Sequence, residues 1–260
     1  MTASPLFDVQ GKVALVTGGA HGLGRMMAQG LVDAGARVYI TSRKAEAAQD
    51  AAREISPGGH CVAIAADLGQ AEAAVNLAAC LKEQESRLDI LINNAGRTWG
   101  APLATFPDKA WTSVMSVNVQ APFTLVRELL DLLKSAADED APSRVINIGS
   151  LAGSVVEPLN AYSYAASKAA IHHLSCVLAA ELAQYRIAVN VIVPGFFPTQ
   201  MTAHIRSDAD EHSKLIARVP LGRLGEADDI VGACLFLCSR AGSYMTGSAL
   251  FLDGGMVGCR

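Results

Sequence analysis

The chain has 260 residues, 51% hydrophobic, 5% aromatic and 18% charged, which is enough for one large α/β domain and too apolar for disorder. Lys and Arg number 21 against 25 Asp and Glu, a formal net charge of −4, so there is no basic field for nucleic acid. Aromatic rings are too scarce for a single-strand stacking platform.

Met1–Gln10 hold neither a basic region nor an apolar stretch of signal-peptide length, and a cytoplasmic location is expected. Short β-branched runs then alternate with helical patterns: Val13–Thr17, Arg37–Thr41, Cys61–Ala65, Ile90–Asn93, Arg144–Ile148, Val189–Val193 and Ala249–Leu252. Their apolar residues are continuous rather than alternating, as strands covered by helices on both faces require. A single-domain, doubly wound, Rossmann-like parallel sheet of about seven strands over 1–260 is expected.

The first strand runs into Thr17-Gly18-Gly19-Ala20-His21-Gly22-Leu23-Gly24 and then an amphipathic segment, Arg25–Ala34. Gly18 suits the turn, Gly22 lets backbone approach a pyrophosphate, and Gly24 allows close helix–strand packing. The spacing is Gly-x-x-x-Gly-x-Gly, not the common dinucleotide fingerprint. The second strand ends in Ser42-Arg43-Lys44, with no acid to grip a ribose 2′-hydroxyl, and Arg43 favours a 2′-phosphate, hence NADP(H) over NAD(H). His21 is only partly charged near neutral pH, where a permanent cation would hold phosphate better.

Asn93-Asn94-Ala95-Gly96 ends the fourth strand, and Asn118 interrupts an amphipathic helix. The fifth strand ends in Gly149-Ser150, placing a hydroxyl at the carboxyl edge of the sheet, where open α/β folds bind ligands. Tyr164 opens a helical pattern that runs to about Gln184, with Lys168 one turn on. A nearby ammonium stabilises a phenolate and draws its pKa down from about 10. Taken singly, that spacing is common on solvated helices, and His172 and His173 read as packing or surface residues. Ala169–Leu182 is apolar nearly all round, as burial on more than the sheet side requires.

The uncharged run Ile187–Ile205 contains Asn190, Pro194, Gly195 and Pro198 and cannot span a membrane. The stretch from about 196 to 224 begins Phe-Phe-Pro and carries Met201, Ile205, Leu215 and Ile216, the pattern of a substrate lid with an apolar underside. Its alternative is a surface helical pair packed on the body. Six cysteines (Cys61, Cys80, Cys176, Cys234, Cys238 and Cys259) form no Cys-x-x-Cys pair and read as reduced core thiols. Cys234 and Cys238 lack a second pair of ligands nearby, so no metal is expected.

Thr17-Gly18-x-x-x-Gly22-x-Gly24, Asn93-Asn94-Ala95-Gly96, Asn118, Ser150, Tyr164-x-x-x-Lys168 and Pro194-Gly195-x-x-x-Thr199 together resemble the short-chain dehydrogenase/reductases over essentially the whole chain. Within that family the chain is most similar to the β-ketoacyl (3-oxoacyl) reductases associated with rhamnolipid-type fatty acyl supply. The resemblance implies that Tyr164 gives a proton to the carbonyl oxygen, and that Lys168 lowers the Tyr164 pKa and holds the nicotinamide ribose. It implies that Ser150 orients the carbonyl and that Asn118 holds a water feeding protons through Lys168. Around NADP(H) it implies Gly18, His21, Gly22, Leu23, Gly24, Arg43, Asp67, Leu68, Asn94, Ala95, Gly96, Pro194, Gly195 and Thr199, with Asp67 meeting the adenine and Thr199 the carboxamide. His21 departs from the Arg or Lys often found there in NADP-dependent members.

A ketone or acyl thioester is the implied substrate, and a homotetramer the implied assembly. An acyl carrier protein partner is weighed against by Asp138-Glu139-Asp140, since Arg97, Arg127 and Arg186 cannot be placed on one face from sequence. Two other functions stay open. One is NAD(P)-dependent oxidation of a sugar, polyol or steroid-like alcohol. The other is a non-catalytic dinucleotide-binding regulator, which predicts damage to an Asn/Ser/Tyr/Lys set that is intact here.

Overall fold

The computed structural model describes residues 5–138, 141–157, 159–199 and 209–259. Seven strands, β1 (Val13–Val16), β2 (Arg37–Ser42), β3 (Cys61–Ala65), β4 (Ile90–Asn93), β5 (Ser143–Ile148), β6 (Ile187–Pro194) and β7 (Ala249–Leu252), make one sheet in the order β3-β2-β1-β4-β5-β6-β7. Every neighbouring pair is parallel. All strands therefore end at one edge, and the order reverses between β1 and β4, opening a crevice there.

Helices α1 (Gly22–Asp33), α2 (Ala45–Ile55), α3 (Ala73–Gln84), α4 (Lys109–Met115), α5 (Ala121–Glu128), α6 (Leu130–Ala136), α7 (Tyr162–Leu182), α8 (Ala209–Ala217) and α9 (Ala227–Cys238) follow in chain order. Successive strand side chains point to opposite faces. Ala14 and Val16 of β1 thus join Met27 and Leu31 of α1 and Ile230 and Leu237 of α9 in one layer. Val13 and Leu15 join Leu77 of α3, Leu125 of α5 and Leu178 of α7 in the other. These two layers are the reason for the continuous apolar runs.

Two features depart from expectation. A π-turn, Ser116–Gln120, joins α4 to α5 and carries Asn118, which accounts for the break in the amphipathic pattern. Of the cysteines, Cys61, Cys234 and Cys238 are buried, but Cys176 and Cys259 are exposed and Cys80 is half-buried, so the reading of six core thiols is corrected: Cys176 lies on the outward side of α7. In the expected lid over 196–224, residues 200–208 lie outside those described. Leu215 and Val219 of the described part are buried. Among the described residues no helix is long and apolar enough to cross a membrane.

Arg144 at the start of β5 is buried under the end of α9. Its Nε donates to Leu237 O at 2.9 Å, Nη2 to Ser239 O at 3.0 Å, and Nη1 to Pro142 O. Carbonyls at a helix carboxyl end have no intrahelical partner, and a cation there is favourable. Arg144→Met removes all three bonds and leaves the buried Leu237 carbonyl without this donor, and is expected to lower the unfolding free energy by about 3 kcal/mol in a denaturant titration.

Candidate active site

The glycine turn after β1 lies at the crevice. Gly18 and Gly22 have φ of +65° and +54°, conformations that L side chains rarely adopt. A Cβ at Gly24 would come within 2.3 Å of Asn94 Nδ2 and 2.5 Å of Gly18 O, and one at Gly22 would meet Thr199 Cγ2 at 3.4 Å. The turn is therefore bounded by Asn94 on one side and Thr199 on the other. No side chain caps the start of α1, whose N-cap is the exposed His21 and whose first turn has no acidic residue. The exposed amide end of a helix without such a competitor suits an anion. Leu23 packs on the core, and Arg43 and Lys44 stand exposed at the end of β2.

Asn94 lies against the glycine turn. Its Nδ2 donates to Thr17 O at 2.8 Å and Gly18 O at 3.2 Å, so the side chain holds the glycine turn. Thr17 Oγ1 accepts from the Asn94 and Ala95 backbones, each at 3.0 Å. Asp67 accepts from Gly69 N at 3.1 Å and lies 3.9 Å from Arg97 Nη2, while Leu68 is buried. Pro194 closes β6, and a Cβ at Gly195 would strike Asp253 Cα at 2.7 Å.

Ser150, Tyr164, Lys168 and Asn118 gather at the carboxyl ends of β4 and β5. Lys168 is buried and its Nζ donates to Ile148 O at 2.7 Å, standing 5.6 Å from the centroid of the Tyr164 ring. A Cβ at Gly96 would lie 3.7 Å from Asn118 Oδ1 and 3.9 Å from Lys168 Nζ. The Asn118 side chain is committed to protein: Oδ1 accepts from Arg97 N at 2.8 Å, and Nδ2 donates to Arg97 O and Ser167 Oγ, each at 2.9 Å. A water at this place must therefore use other groups than the Asn118 amide donors.

Burial pushes the Tyr164 phenol up, and the Ser150 hydroxyl, in hydrogen-bonding reach, acts the other way. Desolvation is the larger of the two influences on the phenol, and the downward one comes from Ser150. Burial also brings the Lys168 ammonium down to about 8. One contributor escaped the sequence reading. His172 Nε2 accepts from Ser150 N at 3.3 Å, a contact across 22 residues that no local pattern announces.

The glycine turn, the serine at the strand end and the tyrosine–lysine helix define a dinucleotide-dependent oxidoreductase site. The family described as enoyl-(acyl carrier protein) reductase matches residues 18–257, and the chain belongs to the short-chain dehydrogenase/reductase family. The rhamnolipids biosynthesis 3-oxoacyl-(acyl-carrier-protein) reductase of Pseudomonas aeruginosa is 47% identical over 251 residues, covering 96% of this chain and 98% of its own. Gluconate 5-dehydrogenase of Gluconobacter oxydans is 33% identical over 99% of each chain. Among solved structures, the Pseudomonas aeruginosa RhlG/NADP active-site complex superposes with a TM-score of 0.94 at 47% identity, over 97% of this chain and 99% of that one. Gluconate 5-dehydrogenase from Burkholderia cenocepacia J2315, in complex with NADP and tartrate, gives 0.89 at 31% identity over 97% of each.

The Lys168 pKa has a consequence for stability. Between about 8 and its unperturbed value near 10.5 the unfolded chain holds a proton that the native Lys168 has released, so stability rises with pH across that window and the burial penalty is in full force below it. The wild type is expected to gain stability relative to Lys168→Met as pH climbs from about 8 to about 10.5, read by urea unfolding at both ends.

Proposed function

We propose that the protein reduces a ketone carbonyl, a 3-oxoacyl thioester, with NADPH. The observation that carries this reading is the convergence of Ser150, Tyr164 and Lys168 at the strand edge beside the glycine turn. NADPH, when bound, supplies the hydride to the carbonyl carbon. Gly18, Gly22 and the uncapped start of α1 would hold its pyrophosphate, and Arg43 with Lys44 would meet the 2′-phosphate. The remaining expected contacts, from His21, Leu23, Gly24, Asp67, Leu68, Asn94, Ala95, Gly96, Pro194, Gly195 and Thr199, line or shape the same cradle.

Tyr164 gives its phenolic proton to the oxygen as negative charge develops there. Its raised pKa suits this role, because the phenol is fully protonated near neutrality and ready to donate. Ser150 donates to the same oxygen, a contact that strengthens as the charge grows. Lys168 holds the nicotinamide ribose and relays protons back to Tyr164. Asn118 positions the neighbouring strand end and α7 through Arg97 and Ser167.

The acyl thioester reading is supported by the 47% identical 3-oxoacyl-(acyl-carrier-protein) reductase. The second reading, oxidation of a sugar acid or polyol, is supported by the 33% identical gluconate 5-dehydrogenase. A panel of acyl chains on coenzyme A and on carrier protein, run beside polyols, separates them. Asp138 precedes β5, at the opposite edge of the sheet from Ser150, so its charge does not stand against an acidic carrier at the site; Glu139 and Asp140 lie outside the described residues. Self-association is supported by an apolar hollow on α4, α5 and α7, lined by Met115, Val119, Phe123 and Leu174, with Phe123 40% exposed. The reading of 196–224 as a substrate lid is supported in its described part by Arg218, which donates to both oxygens of Glu157, at 2.8 and 2.6 Å.

Tyr164→Phe is expected to lower kcat by about 10³-fold while NADPH still binds, as cofactor fluorescence reads directly; wild-type turnover in the variant overturns the proton-donor role. Arg43→Ala is expected to weaken NADPH binding about tenfold and leave NADH unchanged, and NADH binding as tightly as NADPH to the wild type overturns the role of Arg43.

A further inference from the structure

His172 stands on α7 one turn beyond Lys168 and two beyond Tyr164. Its ring spans the turn that follows β5: Nε2 is 3.3 Å from Ser150 N, and Nδ1 is 3.3 Å from Ser154 Oγ. The approach is so close that a Cβ at Gly149 would sit 2.2 Å from Nε2 and 2.9 Å from Val191 Cγ1, and only glycine leaves the ring its place. A backbone N–H has only a proton to give, so Nε2 is the bare nitrogen and Nδ1 carries the hydrogen, donated to Ser154 Oγ. Burial, with the charge of Lys168, holds the imidazole down to about 4, so the ring is neutral across the neutral range and this pattern persists. A neutral acceptor grips the backbone dipole of Ser150 without setting a second positive charge beside Lys168.

We propose that His172 is a positioning residue for Ser150, clamping the serine turn to the helix that bears Tyr164 and Lys168 and so keeping the Ser150 hydroxyl within reach of the phenol. The proposal rests on the reading of Ser150 and Tyr164 as the pair that meets the carbonyl oxygen. His172 acts through its bond to Ser150 N.

The test sets full-length His172→Leu against His172→Gln. Leucine fills similar space with no acceptor, whereas glutamine presents an oxygen where Nε2 stands. The Ser150 hydroxyl is the side chain that pulls the Tyr164 phenol down, and the Lys168 ammonium stands 5.6 Å from the centroid of the ring. Loosening Ser150 therefore removes the influence that pulls the phenol down. An ultraviolet difference titration, with Tyr164→Phe marking the Tyr164 component, is expected to shift upward by roughly half to one pH unit in His172→Leu and to stay near wild type in His172→Gln.

With ketone and NADPH, kcat is expected to fall on the order of 10- to 100-fold in His172→Leu, with KM for NADPH changed less than about threefold, and to recover mostly in His172→Gln. A wild-type titration and kcat in His172→Leu overturn the proposal, as does a glutamine variant impaired as much as the leucine one. Should the leucine variant fail to fold, His172→Asn, too short to reach Ser150 N, carries the same expected shift. The titration needs no substrate: a wild type that reduces no ketone overturns the reductase reading alone, and the phenol still decides the part played by His172.

Discussion

A lysine ammonium taken out of water at the end of β5 is the constraint around which the site is arranged. A buried charge is tolerated only when it is bonded, and Lys168 meets the carbonyl of Ile148, the last residue of β5, at 2.7 Å. That contact fixes the register of α7 against the strand. Tyr164 then falls one turn before the lysine, and Ser150 two residues beyond its acceptor. The surroundings are neutral for the same reason. His172 is held unprotonated and the Tyr164 phenol keeps its proton.

Amides do the remaining work of fixing the edge, because they bond in two directions and never titrate. Asn94 holds the glycine turn, and Asn118 joins the segment after β4 to α7. Deeper in, Asn93 Nδ2 donates to Asn147 Oδ1 and Asn147 Nδ2 to Ser175 Oγ, both at 2.8 Å, tying β4, β5 and α7 beneath the site. Such buried bonds strengthen in a low dielectric and specify one arrangement of the three elements.

Much of this was legible in the sequence because it is local. The strand runs are within a residue or two of the observed elements, since burial of both sheet faces leaves no polar period to confuse them. Tyr164 and Lys168 share a helix, and Ser150 follows directly on a strand, so spacing alone brings them forward. What escaped is tertiary. His172 reaches Ser150 across 22 residues, and a histidine pair on an apolar helix reads as packing. The direction of the phenol shift depends on how much of Tyr164 is desolvated, which no spacing encodes. Asn94 was found at its place but not with its partner, because the carbonyls it holds belong to a turn more than seventy residues earlier.

Arg144 sets a condition on how the molecule comes into being. Its carbonyl partners at Leu237 and Ser239 lie 93 and 95 residues later in the chain. A nascent chain emerging from the ribosome has all of β1 to β5 in hand while that guanidinium still lacks them. Burying it at that stage would strand a charge in the core, so the central strands cannot close finally until α9 has been made and docked. A helix made well after β5 is thus the one that completes the packing around it, and a single buried side chain sets that order of events.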